Sequence, residues 1–332
     1  MINHKQHGFT LLELMVGLVL GLLIVAAGLS VFLSGQRSIA LQDGMGELQQ
    51  NANFGLAMMT HDLRHANLNS PSTQKVNNKQ VGSGIIFEDA NLPSSLAGKV
   101  TGLLTKQDAD NDATTGKSDQ LTIQFVPQYT KITKKVCPAG NPTCTAAQKV
   151  DEVSYVFNGI DCEGNSLTFS TPQTIVQRYH LKPDPVQTAG QPTAYSLYCD
   201  AGYYKDGDTS ITGMNVDNNG QQLMQRIDAF KIRLSVKDKD KKLRYMTLDQ
   251  YIGAMPSTVI KESDYSNVIS VEIGLLARST SSQSSESLID NTKVFKIFGN
   301  DISLNNTQKN GTKFLREVFS QVVAFRNTLG AS

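Results

Sequence analysis

Gly8-Phe9-Thr10-Leu11-Leu12-Glu13-Leu14 opens an apolar run that continues to Leu33, and from Phe9 to Leu33 the only polar side chains are Thr10, Glu13 and Ser30. As a helix rising about 1.5 Å per residue, the run is roughly 37 Å long, enough to cross a bilayer core of about 30 Å. Glu13 is the anomaly. An ionised carboxylate in hydrocarbon costs on the order of several kcal/mol unless a cation or donor meets it.

The residues before the run point to a source of that cation. Met1–Gly8 carry Lys5, His4 and His7 but no apolar core. A secretory signal puts its apolar core before the small residue at which it is cut; here Gly8 comes first. Cleavage after Gly8 would leave the helix on the mature chain and create an ammonium at Phe9, four residues from Glu13. The two could meet within one helix or between neighbouring helices. Gly17, Gly21, Gly28 and Gly35 share a face, and Gly17-x-x-x-Gly21 admits a close helix neighbour. Each glycine also weakens the helix by about 1 kcal/mol, so local melting on packing is an alternative use for them.

Gly8-Phe9-Thr10-Leu11-Leu12-Glu13 resembles the class III signal of type IV pilins and type II secretion pseudopilins. The resemblance implies cutting between Gly8 and Phe9 by a prepilin peptidase, N-methylation of Phe9, and Glu13 as the assembly glutamate. Further along, Gly82-Ser83-Gly84-Ile85, Lys117–Thr122, Tyr198-Cys199-Asp200, Ile269–Arg278 and Val322–Asn327 are similar, in that order, to W-type minor pilins. That implies a subunit that primes filaments with other minor pilins and the major pilin, at the pilus tip and with a tip adhesin. The tract Ala201–Gln222 is longer and more polar than the family leads one to expect. Two other functions stay open: a pseudopilin J-like subunit of a secretion system, and a tip module that binds surfaces, DNA or glycans through the loops around Cys162–Gly220.

Beyond Ser34, Leu41, Met45, Leu48, Ala52, Leu56, Met59, Leu63 and Ala66 recur every three or four residues, one apolar stripe on a continuing helix. The stripe predicts a helix to about Asn67, ended by Ser70-Pro71. Short strand candidates follow: Gly84–Phe87, Leu121–Val126, Val150–Phe157, Leu167–Phe169, Ile175–Leu181 and Tyr195–Cys199. Phe230–Val236 and Ile269–Leu275 alternate strictly, and Lys237–Lys242 reads as the turn into Leu243–Leu248. Ser279–Asn291 is a Ser-rich loop. Phe314–Phe325 mixes helical and strand spacing, so its class stays open. The fold class is α+β, a long helix packed on antiparallel sheet. The expected parts are a leader over 1–8, a transmembrane helix over 9–33, its amphipathic continuation over 34–67, and a periplasmic β-rich head over 68–332.

The chain of 332 residues has a net charge of +1, so it has no global basic field and no direct nucleic-acid ligand is expected. Lys131, Lys134 and Lys135 beside Tyr129 read as a solvated strand face. Lys5 before the apolar run keeps the leader inside and sends the rest across the inner membrane. Four cysteines in an oxidising compartment favour two disulfides. Cys137–Cys144 as a tight loop and Cys162–Cys199 as a longer staple are the expected pairs, against a metal site that lacks the usual spacing. Asp108, Asp110, Asp112 and Asp119, with Thr114 and Gly116, mimic part of a Ca²⁺ loop, but Ala113 stands where its sharp turn wants Gly, and the stretch reads first as an acidic solvated loop. Asp206-Gly207-Asp208 and Asn215–Gly220 read as turns. His61 and His65, four apart, have metal-capable spacing but read as surface or packing residues. No phosphate loop, serine elbow or His-Glu-x-x-His motif occurs. No catalytic residue and no cofactor are assigned.

Overall fold

The structure is a computed structural model that describes residues 10–70, 75–140, 143–214, 220–256, 265–282 and 289–325. Helix α1 (Leu11–Leu63) is 53 residues long. Its first half is exposed throughout, whereas the second half buries Gly44, Leu48, Ala52, Gly55, Leu56, Met59 and Leu63 against the head. Leu41 and Met45, at the start of the expected stripe, are only partly covered. The helix stops at Leu63, short of Asn67. Asn67 has φ +66°, a left-handed conformation that a right-handed helix cannot continue through. There its amide donates to the Gln124 carbonyl (3.2 Å) and its side-chain oxygen accepts from Gly84 N–H (2.9 Å), so sheet contacts capture the chain.

The head begins with two hairpins, β1 (Lys106–Asn111) with β2 (Lys117–Phe125), and β3 (Tyr129–Val136) with β4 (Val150–Phe157). β5 (Thr168–Phe169), β6 (Thr174–Pro183), β7 (Tyr195–Tyr204) and β8 (Gln221–Met224) follow, then β9 (Ile227–Lys237), β10 (Leu243–Met246) and helix α2 (Leu248–Ala254). The chain closes with β11 (Asn267–Arg278), β12 (Phe295–Ile297), β13 (Asn300–Ile302), a short turn of helix α3 (Asn306–Lys309) and β14 (Arg316–Ala324). Two larger sheets, β1-β2-β6-β7-β8 and β10-β9-β11-β14, carry the core, and β3-β4-β5 and β12-β13 are smaller. Among the described residues every strand pairing is antiparallel.

Alternation decides which face is inside. Phe230, Ile232, Leu234 and Val236 of β9, with Val271, Ile273, Leu275 and Ala277 of β11, join the α1 stripe in one core. Val268 belongs to that core too because a bulge between Val268 and Ser270 shifts the register. Phe314–Phe325, whose spacing was ambiguous, supplies β14: Phe319, Val323 and Phe325 face the α1 core, and Val318 faces a second cluster with Phe295 and Ile297. The expected strand Gly84–Phe87 makes only an isolated bridge, Ile85 to Ile123. Its continuation is cut off because the Asn91 side chain takes the amides of Phe87 (2.9 Å) and Glu88 (3.2 Å). In the expected Ser279–Asn291 loop, residues 283–288 lie outside the described residues, as do residues 215–219 of the expected Asn215–Gly220 turn.

Both disulfides have the expected partners. Cys137–Cys144 (Cα–Cα 5.5 Å) closes the tip of the β3–β4 hairpin, and Cys162–Cys199 (6.1 Å) ties the β4–β5 loop to β7 in the core. Replacing Cys162 and Cys199 together by Ala is expected to cost about 3–4 kcal/mol, against about 2 kcal/mol for the short loop, since closing a longer loop restricts the unfolded chain more. Denaturant unfolding of the two variants measures both. Gly55 offers a second test. A Cβ there would run into Cγ and Sδ of the buried Met224, whereas one at Gly46 meets nothing within 4 Å. Gly55→Ala should therefore lower the melting temperature by several degrees, and Gly46→Ala should raise it slightly by the ~1 kcal/mol difference in helix propensity.

Candidate functional site: the bare N-terminal helix

Thr10 begins α1 with extended backbone (φ −74°, ψ 149°). Its amide (3.0 Å) and its hydroxyl (2.9 Å) both donate to Glu13 Oε2, and Glu13 N–H donates back to Thr10 Oγ (3.3 Å). This capping box satisfies amides that the first turn leaves without partners, and it sets the carboxylate where the helix dipole favours negative charge. Thr10-x-x-Glu13 is the sequence signature of such a box, so it was there to be found. Reading Glu13 only as an acid awaiting an ammonium missed it. Among the described residues the carboxylate meets Thr10 alone. Gly8 and Phe9, the expected cleavage pair, lie outside the described residues.

Ser30 is the remaining polar side chain of the run, and its hydroxyl donates to the Ala27 carbonyl at 2.7 Å. Thr10, Glu13 and Ser30 therefore all bond within their own helix, as a segment placed in lipid requires. The surface around them is apolar. Leu11 is 78 %, Ile24 73 % and Val31 73 % exposed, and no part of the apolar window is buried. Covering side chains of this size is worth about 1.5–3 kcal/mol each, so the run as a whole carries on the order of tens of kcal/mol of unmet hydrophobic burial. A Cβ on Gly17, Gly21, Gly28 or Gly35 would meet nothing within 4 Å, so this face is open to another helix.

The far end of α1 is held by a polar latch that sequence reasoning missed. Tyr179 of β6 donates its hydroxyl to Asp62 Oδ2 (3.0 Å), and Asp62 Oδ1 lies 3.2 Å from His61 Nδ1. Burial pushes the Asp62 carboxyl above its ordinary range despite the His61 and Tyr179 hydrogen bonds, and burial likewise lowers the His65 imidazole. The His61 and His65 rings are 4.9 Å apart, with His65 resting against Phe125. No pattern in sequence links Asp62 to Tyr179.

The acidic candidates for Ca²⁺ do not form a loop, which corrects that reading. Asp108 and Asp110 lie on β1, Asp119 lies on β2, and Asp112 is in the turn between the strands. Protein donors already reach each of these carboxylates. Lys231 Nζ reaches Asp108 (2.6 Å) and Asp119 (3.3 Å), while Ile232 N–H donates to Asp119 (2.8 Å). Asp112 accepts from Thr114 and Ser118, and Asp110 from Leu181 N–H at 3.1 Å. Among the described residues no group of three or more His, Cys, Asp or Glu is placed to hold a metal ion. Lys131, Lys134 and Lys135 are exposed on β3, with Lys135 beside Asp151 at 3.3 Å, and Tyr129 is bound to the Gln173 carbonyl. Asp206 and Asp208 sit in a turn closed by Lys205 and Asp208.

Residues 3–29 match the family model for the prokaryotic N-terminal methylation motif. With a bare apolar helix leading into a disulfide-stapled head, this makes the chain a type IV pilin-class protein. Residues 186–327 match Type IV pilus-assembly protein W, so within the class this part of the chain is similar to type IV pilus minor pilins of the PilW type. Among solved structures, a type IV-like pilin from Thermus thermophilus is similar at 10 % identity and TM-score 0.32, over 85 % of this chain and 96 % of that one. No curated protein matches the sequence.

One titration in the former calcium candidate is measurable. Burial pushes Asp110 up to about 6, opposed by the Leu181 amide and by Arg178. With its folded value above the unfolded one, native Asp110 keeps a proton that the unfolded chain releases near pH 4. Its contribution to stability is therefore lost as pH rises from about 4 to about 6, and is constant above that. Asp110→Asn should flatten that part of the stability–pH curve and raise the melting temperature at pH 7. An unchanged slope would contradict the assignment.

Proposed function

We propose that this minor pilin primes filament assembly from the inner membrane. In this reading a prepilin peptidase removes Met1–Gly8 and Phe9 is methylated. Phe9–Leu33 then holds the subunit in the bilayer with its head in the periplasm. The carrying observation is the apolar helix that the head leaves bare while every polar side chain from Thr10 to Ser30 is satisfied internally. Glu13 does the assembly chemistry. Thr10 already holds its carboxylate at the N-terminal turn, so the Phe9 ammonium of a neighbouring helix meets a preplaced anion, and each charge relieves the other's desolvation. The glycine face brings the helices close enough for that contact. In this reading its partners are other minor pilins, the major pilin and a tip adhesin, and it sits at the pilus tip; the similarity to the family supports that choice. The head acts as a structural part, and no reaction is assigned to it.

Glu13→Ala is expected to leave the peptidase cut intact, because the scissile bond is unchanged, and to reduce pilus number and twitching about tenfold or more, the effect of one unpaired buried charge. Mass spectrometry of the native protein should find an N-terminus at methylated Phe9. Normal piliation in Glu13→Ala, or a native chain still beginning at Met1, would overturn the reading.

A further inference from the structure

Gln177 of β6 is 1 % exposed, and its side-chain oxygen lies 3.3 Å from the Tyr179 hydroxyl. Among the described residues its amide nitrogen, Nε2, donates to nothing. A donor kept from bulk water without a partner costs free energy, so this position calls for an acceptor. Gln177 lines a cavity of about 460 Å³ between α1 and the loop that follows β4. Phe54 and Met58 of α1, Phe125 of β2, Phe157 of β4 and Ile160 of the loop form its apolar wall. The Phe125 and Phe157 rings stand edge to face, 6.4 Å apart. Phe54 (65 %) and Ile160 (61 %) are exposed and mark the mouth, whereas Gln177 lies at the floor.

The charges around the cavity choose the class of ligand. No lysine or arginine lines it, so an anion would meet Asp62 and Asp161 without a counter-charge. A cation is not called for either, because both carboxylates are already bonded. Asp62 accepts from Tyr179 (3.0 Å) and lies 3.2 Å from His61 Nδ1. Asp161 accepts from the Glu163 (3.0 Å) and Asn165 (2.7 Å) amides and from the Asn165 side chain (3.2 Å). Burial holds the His65 imidazole below its ordinary range, so that ring is neutral at pH 7. What is missing is one uncharged acceptor for Gln177 with an apolar body behind it.

Size and depth select a small molecule. A partner's main-chain carbonyl, flanked by residues on both sides, cannot reach so buried a donor. One side chain would leave much of the space empty, whereas cavities of this volume commonly hold small ligands. Ring edges and faces in the wall favour an aromatic body. We infer that this cavity binds a small, uncharged aromatic molecule whose ketone or amide oxygen accepts from Gln177 Nε2. The site is separate from the membrane helix and from filament priming.

The probes are acetophenone, benzoate, benzylamine and toluene: one ring carrying a neutral ketone, an anion, a cation or no polar group. Full-length protein in detergent, labelled in glutamine and in methionine methyl groups, reports binding by NMR through the Gln177 side-chain amide and the Met58 methyl. Free probe concentrations are set by dialysis. Acetophenone should move both resonances with a dissociation constant on the order of 1 mM, as ligands of its size do. Benzoate and benzylamine should bind about tenfold or more weakly, since each brings a charge the site does not pair. Gln177→Leu, read at Met58, should weaken acetophenone about fivefold, the worth of one neutral hydrogen bond, and leave toluene unchanged. If Gln177→Leu does not fold, the charge series on the wild-type chain still decides. Met58→Trp, at a half-buried helix position, fills the cavity and should abolish the Gln177 shift while pilus number stays normal. No shift at Gln177 up to the solubility limit of acetophenone would overturn the proposal. So would a preference for benzoate or benzylamine, or equal acetophenone affinity in folded Gln177→Leu. Loss of pili in folded Met58→Trp would make the cavity a contact between subunits and overturn it too.

Discussion

An apolar helix that its own head leaves uncovered is the constraint on which this molecule is built. From Leu11 to Leu33 nothing among the described residues shields the side chains from water. No folding of the head relieves that; only lipid or other helices can. The same demand explains why Thr10, Glu13 and Ser30 bond within the helix, since polar groups in hydrocarbon must find partners locally. The one carboxylate is kept at the helix start, where the unpaired amides of the first turn and the dipole offset part of its cost.

The head's task is to hold the other half of that helix. Leu48, Ala52, Leu56, Met59 and Leu63 enter a core shared with β9 and β11, so α1 cannot shift without opening it. Tyr179 fixes Asp62 at the far end, and the Cys162–Cys199 bond pins the neighbouring loop to β7. Behind β11, buried Asp228 takes Arg316 at 2.6 Å with Arg278 at 3.7 Å, and both guanidinium groups lie over Phe314. A buried ion group of this kind tolerates few arrangements of β9, β11 and β14. The rigid part of the molecule therefore reaches from the middle of α1 to the β14 edge.

How much of this was legible in advance depended on whether the signal was local. Periodicity located α1, and strict alternation located β9 and β11, because a half-buried element writes its exposed and buried faces into the residues in order. β14 was ambiguous because Phe319, Val322 and Val323 suit either period. β1 was missed as a strand because an acidic run reads as a solvated loop, or as a weak cation loop, until its partners are known. Those partners, Lys231, Ile232 and Leu181, lie far along the chain and come to the carboxylates only when β6 and β9 approach the β1–β2 hairpin.

The sequence by itself determined an apolar helix with one acid, a small residue before it, an amphipathic continuation, an α+β order and an even set of cysteines. These are properties of neighbouring residues and of composition, and chain geometry turns them directly into structure. The tertiary structure alone decided where α1 lets go, at Leu63 ahead of the left-handed Asn67, and which donors neutralise the acidic cluster. It also decided that Tyr179 holds Asp62 and that β14 ends its sheet. Each of those depends on residues distant in the chain meeting in space, and no local pattern specifies such a meeting.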